Sequence, residues 1–599
     1  MKLPLLNEIE TSQRPIELFK GYNHNLRIGD GEFYDMKNLT STHYPVLSPR
    51  GQRGTYVEAG KPNGLIAKDA LCYVDGSKFV INEHQIEMGL NDEPKQLISM
   101  GAYVIIMPDK KYINTLDHTD MGDIEAEFPA TEGETLTVTY EMCKKDGALY
   151  TNTIKSSNPP EITEEMEKDS SKIPLWIDIS STPHALKQYS TTSKAWNQIP
   201  TCYIKISTPN IAANFKQYDA VKISGLPIDQ VPQLKDLEGA TSVLWDAHHD
   251  KDNPTNDYIV VIGFIDDVVT KDSKLKLEQK MPVMDFIIES ENRLWGCRYG
   301  TSADGTVVNE IYSSKLGDFK NWNCFMGIST DSYVASCGTD GQFTGAITHM
   351  GYPLFFKENC VHKVYGNYPA NFQIQTTACR GVQKGCSKSL AIVNEVLYYK
   401  SRNAVCAYDG SLPVEMSYVL GDVAYSDAVA CSHGNKYYIS MKDTFGDYSL
   451  FVYDTSKGLW HKEDNLAVNH FCSCRNELYF IEKDSSTIRT MFGSGTADTD
   501  PIKWSAETGV MGMYTPDKKY ISKLNIRLSL NVGTKIYFFA QYDSSGDWEL
   551  LCSLNGTSLR SFTIPVKPRR CDHFRLKIEG EGEVKIFSII KTLEQGSDI

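Results

Sequence analysis

The sequence predicts an all-β protein. Its main body is a β-propeller of about seven blades (six to eight fit), with an inserted β-rich domain and a C-terminal β-sandwich. Three observations predict this. First, from Asn292 to Gly493 a small or polar turn residue followed by an apolar-aromatic run recurs. With Leu294, Leu354, Leu397, Tyr437 and Leu478 taken as equivalent, the spacings are 60, 43, 40 and 41 residues. A period near 40 with several short strands per unit is that of a propeller blade. Second, 33 Tyr, 23 Phe and 8 Trp favour strands, while long helical periodicities are scarce. Third, units close on a strand, an Asp or Gly-Asp turn and then Trp, as in Asn309 to Trp322 and Leu450 to Trp460.

Residues 1–62 read as an extended N-terminal arm. Gly29-Asp30-Gly31 is turn chemistry, and Pro45 and Pro49 push the residues before them toward extended geometry. Such an arm serves either as a linker along the propeller edge or as a subunit contact. Residues 63–117 carry the first blades. Leu71 to Val80 is a strand, an Asp75-Gly76 turn and a strand, and Gly101 to Met107 is a buried strand closed by Pro108-Asp109.

The period then breaks, and residues 118–283 read as an inserted β-rich domain. It opens on the alternating stretch from Glu132 to Glu141, continues through a polar loop from Ser156 to Ser171, and has strands at 218–225 and 257–264. Blade ends are surface turns, which tolerate such insertions. Residues 284–495 hold the remaining blades, with Trp295, Trp322, Tyr398, Tyr438, Trp460 and Tyr479 expected as blade core. In residues 496–599 alternating strands at 519–530, 534–542, 573–578 and 584–589 predict the β-sandwich.

Bulk properties narrow the class. The net charge of −15 opposes a grip on nucleic acid, which needs a basic surface, but does not exclude a channel through which DNA slides without sticking. No apolar run reaches the roughly 18 residues of a membrane span. Acidic and polar residues arrive too early after Met1 for a secretory signal, so synthesis in a cytoplasm is expected. The 15 cysteines, including Cys72, Cys297, Cys360, Cys406 and the pair Cys472 and Cys474, lack a metal-site framework and read as buried thiols.

The search for chemistry yields weak candidates. Asp285, Asp340, Asp409 and Asp454 are the acids a propeller glycosidase would aim at its central funnel, yet Asp409 and Asp454 sit in turn grammar. His248-His249-Asp250 lies in a polar loop. Gly338 to Gly345 is glycine-rich without the Lys-Ser/Thr ending of a phosphate loop. His461 to Asp464 reads as the solvated start of an inter-blade loop. No nucleophile elbow or His-Glu-x-x-His helix occurs. The residues therefore predict no catalytic, cofactor or metal site, and no enzyme.

Asn292-Arg-Leu-Trp295 followed by Ile311 to Trp322 resembles tail proteins of bacterial viruses. The arm from Gly31 to Arg50 and the segments Tyr542–Trp548 and 565–574 are similar to parts of phage structural proteins. The nearest group is the tail nozzle, or tail tubular protein B, of short-tailed phages, together with packaged-DNA stabilisation proteins. The resemblance does not reach residues 118–283. It implies a virion structural protein: a nozzle, hub or adaptor subunit in a homo-oligomeric ring, commonly of six copies. Such a ring meets other tail or portal-adaptor proteins and lets DNA pass without specific binding. A carbohydrate- or host-receptor-binding propeller is the alternative, motivated by aromatics such as Trp322 and Trp460. A propeller glycoside hydrolase is the third.

Overall fold

The computed structural model of the protein describes residues 11–131, 133–302, 305–513, 518–555, 559–567 and 569–595. Strand accounts for 51% and helix for 5%, so the chain is all-β. None of the helices among the described residues is long and apolar enough to cross a membrane. Seven sheets have the meander order of propeller blades, six of four strands and the seventh of five. Their first strands are Pro62–Lys68, Gln96–Met100, Phe286–Ser290, Gly345–His349, Ala391–Val393, Tyr425–His433 and Val468–Cys474, which open blades 1 to 7 in that order.

The recurring run is the second strand of a blade: Arg293–Thr301, Tyr352–Lys357, Val396–Lys400, Lys436–Asp443 and Glu477–Glu482. Its small or polar prefix makes the hairpin. Tight two-residue hairpins favour positive φ at their central residues. Glu291 and Asn292 (φ 52° and 58°) and Asn394 and Glu395 (48° and 69°) adopt it in succession. The apolar position that sets the period is fully buried in each strand: Leu294, Leu354, Leu397, Tyr437 and Leu478 are all 0% exposed.

The chain forms two compact units. One comprises residues 1–97, 341–363 and 375–599, the other 98–340 and 364–374. In the first unit, Gly54–Glu58 pairs antiparallel with Thr487–Thr490 as the fourth strand of blade 7, and the short Thr496–Ala497 pairs on its other side. Blades 1 and 7 share a core in which Leu71, Tyr73 and Val80 meet Cys472, Ile481 and Ile488.

The same unit holds the sandwich. A four-stranded sheet is built from Thr11–Ile16, Val584–Gln595, Lys519–Leu530 and Arg560–Ile564. The six-stranded partner uses Gly21–Tyr22, Glu32–Lys37, Lys503–Thr508, Phe574–Glu581, Lys535–Tyr542 and Glu549–Asn555. The stretch expected as an independent arm thus supplies three strands to the sandwich and one to blade 7. Phe33 and Met36 are each 1% exposed in that sandwich. Thr11–Ile16 and Glu32–Lys37 find partners in Val584–Gln595 and Lys503–Thr508, hundreds of residues away, so no local pattern announces them.

In the second unit, Ile98, Met100 and Ile105 of blade 2 pack with Ile287, Leu294, Phe319 and Trp322 of blade 3. The inserted domain has its own core, including Val138, Tyr140, Ile204, Ile206 and Leu234. Its three sheets comprise two of four strands and one of five. The strand expected from Glu132 runs Leu136–Cys143, and Glu132 lies outside the described residues. So do residues 1–10, on which the reading of the N-terminus fell, residues 596–599, and Pro568 of the phage-like segment.

Candidate functional site

Five of the six expected blade-core aromatics are buried: Trp295, Trp322, Tyr398, Tyr438 and Trp460. The Trp460 indole N–H reaches back one blade to the Met416 carbonyl at 2.8 Å. Tyr479 is only half-buried. Its neighbours Leu478 and Phe480 take the core side of the strand, and Tyr479 lies edge-on to Tyr56 at 5.2 Å.

The candidate acids separate into two kinds. Asp409 accepts from the backbone and hydroxyl of Ser411 at 3.0 and 2.6 Å, a self-contained turn. Asp454 does the same with Ser456 and also accepts from Ser41 at 2.6 Å. Asp285 and Asp340 instead meet at Tyr299. Asp285 accepts from the Tyr299 N–H at 2.9 Å and from Arg298 at 3.0 Å, and the Tyr299 hydroxyl donates to Asp340 at 2.5 Å. Both carboxylates are committed there to fixed neighbours.

His461 to Asp464 is no solvated loop. His461 is 4% and Glu463 5% exposed: His461 lies in the strand Leu459–Lys462, and Glu463 pairs with Arg53 at 3.1 Å. His249 pairs with Asp257 at 2.7 Å and His248 stacks on Tyr258, both within the inserted domain. Gly338 to Gly345 links the last strand of blade 3 to the first strand of blade 4. All fifteen cysteines are free thiols. Among the described residues, no group of three or more His, Cys, Asp and Glu is placed to hold a metal ion.

The richest polar constellation was not legible in sequence, and it lies where the first strands of blades 5 to 7 begin. In Tyr425–His433 the register skips from Ser426 to Val429, a bulge that inserts Asp427 and Ala428 opposite one partner. Asp427 has φ 48°, a left-handed backbone uncommon for a residue with a side chain. Bulges re-aim side chains and gather at functional sites. Here the bulge aims the Asp427 carboxylate at Tyr448, whose hydroxyl donates at 2.5 Å, and at Lys483, which bonds both groups.

Lys388, which precedes blade 5, places its ammonium 3.0 Å from the Asn469 carbonyl and 3.4 Å from His470 Nε2. Burial would raise the Asp427 pKa, but the hydrogen bonds from Lys483 and Tyr448 prevail and hold it below the usual carboxylate value. Burial and the neighbouring Lys483 charge lower Lys388 to about 8. Burial, reinforced by Lys388, pushes His470 down to about 3. Three ammonium groups, from Lys388, Lys442 and Lys483, therefore act around one ionised carboxylate and one neutral imidazole. The residues stand about one blade period apart, so no local motif announces them.

A cavity of about 310 Å³ adjoins the start of the same strand. Lys400, Arg402, Glu415, Tyr418 and Tyr425 are among its lining residues. Arg380 ties down Glu415 at 3.0 Å. The volume is at the small end of ligand clefts and matches one or two small rings. Donors, acceptors and aromatic edges thus face one end of adjacent blades, an arrangement suited to a hydroxylated, anionic ligand.

No family model and no curated protein matches the chain. Solved structures do. An exo-β-1,3-galactanase from Phanerochaete chrysosporium, with galactose, is 10% identical, with 51% of this chain and 94% of that one covered at a TM-score of 0.22. An engineered GH43 glycoside hydrolase is 9% identical over 52% and 96%, TM-score 0.20. The Trypanosoma rangeli sialidase is 8% identical over 92% and 97%, TM-score 0.18. These proteins are enzymes, so the expectation that the chain is no enzyme is corrected and does not stand. At such TM-scores the likeness assigns no activity to this chain, and the propeller rests on its own seven sheets.

Proposed function

We propose that this propeller protein binds saccharide, with an acidic saccharide received where the first strands of blades 5 to 7 begin. The observation that carries the reading is the convergence of Lys388, Lys442 and Lys483 on Asp427, on a chain whose net charge is −15. A local excess of positive charge against that background selects an anionic group. Asp427, Tyr448 and Asn469 supply partners for hydroxyls, and the cavity beside Tyr425 has room for a ring. Calorimetry with uronate- and sialate-containing oligosaccharides tests it. Lys483→Ala and Lys388→Ala should each weaken an acidic ligand about tenfold, the loss of one charge-assisted contact. A folded protein that binds no acidic saccharide at millimolar concentration, or binds one equally well without both lysines, would sink the reading.

Exposed apolar side chains favour a second element. Leu26, Tyr418 and Phe445 are 91%, 74% and 89% exposed in the first unit. Such residues suit contacts with other protein subunits, as the phage-tail resemblance implies, and the saccharide face would then meet a host surface. Negative-stain imaging of the purified chain, and of particles if the gene neighbours tail genes, tests this setting separately.

A further inference from the structure

The inserted domain carries a second cleft, built from other residues and of different chemistry from the blade face. Its four-stranded subsheet consists of Thr153–Ser156, Leu175–Asp178, Ala185–Ser190 and Ala195–Gln198. In the last hairpin Gln188 lies directly opposite Asn197, so the two amides stand side by side on one face. That face borders a cleft of about 560 Å³, with Ile173, Leu175, Ile199 and Pro200 beside the two amides. No charged residue lines it.

The opposite face of the hairpin is stiff. Trp196 is edge-on to both Trp176 and Tyr189 at 5.5 Å, and the Lys187 ammonium sits 4.8 Å from the Trp176 ring while pairing with Asp178 at 2.7 Å. Aromatic packing from behind holds the two strands, and so the backbone from which the two amides project, in register. Among the described residues, neither Gln188 nor Asn197 has a side-chain hydrogen-bond partner in the chain, and both are exposed.

We propose that this cleft is a binding site for a neutral saccharide chain. A planar amide offers a donor and an acceptor side by side, the spacing of two vicinal hydroxyls, and two adjacent amides read successive hydroxyl pairs. The apolar strip covers the C–H face of a sugar ring. Lack of charge selects against acidic sugars and against charged peptides, which would lose hydration without gaining a counter-charge. The cleft volume holds a short oligosaccharide. The assignment does not depend on the blade face binding anything.

The test uses the full chain and neutral hexasaccharides of glucose, xylose, galactose and mannose, with binding followed by calorimetry. Gln188→Ala with Asn197→Ala should weaken the responding neutral ligand at least tenfold, while Lys388→Ala with Lys483→Ala leaves it unchanged. Circular dichroism and the Trp176/Trp196 fluorescence report that the domain stays folded. If none of the hexasaccharides binds at millimolar concentration, the assignment is overturned. It is equally overturned if the amide double variant binds as well as the parent, or if an acidic oligosaccharide or a peptide competes for the cleft.

Discussion

Asn321 Nδ2 donates to Asp219 Oδ1 at 2.8 Å, joining the closing turn of blade 3 to the inserted domain. The same side chain accepts from the Ala220 N–H and the Gln279 amide, both at 2.9 Å, while lying 1% exposed. Asn321→Ala leaves a buried carboxylate, a backbone N–H and an amide without their partner. Each unsatisfied buried group costs about 1–3 kcal/mol, and water entering the hole offsets part of this. The expected loss is about 3 kcal/mol in urea unfolding followed by Trp fluorescence. A change below about 1 kcal/mol would show that the domain does not lean on this residue.

The propeller was legible because its signal is local. Turn residue, strand and next turn lie within ten positions, and Leu478 is repeated in kind at Leu294 and Leu397. Nothing local distinguishes Asn321 from any other polar residue in a turn, since its partners are about 40 and 100 residues away in sequence. The strand Glu32–Lys37 reads as arm for the same reason: its pairing partner is Lys503–Thr508. The candidate site was the least legible part, because Asp427 acquires its role from a bulge and from lysines one blade away on either side.

That local signal also ranks two neighbours. Leu478 is 0% exposed, whereas Tyr479 faces partly outward against Tyr56. Leu478→Ala should therefore cost about 2–5 kcal/mol through lost burial and a cavity. Tyr479→Ala should cost less than about 1.5 kcal/mol, the worth of an aromatic pair at a half-exposed position. Thermal unfolding of both variants checks the order, and a larger loss at Tyr479 would contradict the assignment of the core face.

Arg53 lies just before the strand that completes blade 7, and its side chain is 5% exposed. It pairs with Asp464 at 2.6 Å and Glu463 at 3.1 Å. Burial holds the Glu463 carboxyl above its ordinary value in spite of Arg53 and Arg50, so the pair is costly to bury as well as tightly made. Removing one partner of a buried pair strands the other charge. Arg53→Ala should cost about 3–5 kcal/mol. Limited proteolysis should then cut near residues 50–60 sooner than in the parent. An unchanged cleavage pattern would mean that other contacts hold Gly54–Glu58 in place.

Trp504 and Gly580 are cross-strand partners in the sandwich, with the indole 2% exposed. A Cβ at residue 580 would sit 2.1 Å from Trp504 Cζ2, so the buried ring or the strand would have to shift. Gly580→Ala should therefore destabilise by about 1–3 kcal/mol through overpacking. Pairing it with Trp504→Phe, which frees room on that side, should recover part of the loss. Failure of the second substitution to recover any stability would place the strain elsewhere.

Three buried histidines set the acid limit. Burial, reinforced by a neighbouring lysine in each case, pushes His362 down to about 4 and His461 and His470 to about 3. In the unfolded chain each titrates near 6.5, so below that pH the unfolded state binds protons that the folded state refuses. Folded values lie below unfolded ones, so the stability contribution of these residues is complete above about pH 6.5. It is lost as the pH falls toward 4 and then 3, each histidine giving up on the order of 1.4 kcal/mol per pH unit. Urea midpoints should fall steeply between pH 6.5 and 4.5, before most carboxylates titrate. His461→Gln keeps a polar group of similar size without the proton affinity, so it should flatten that slope by about one third while lowering stability modestly at pH 7. A parent profile that is flat over this window, or a His461→Gln profile with the parent's slope, would show that these imidazoles accept protons without unfolding their surroundings.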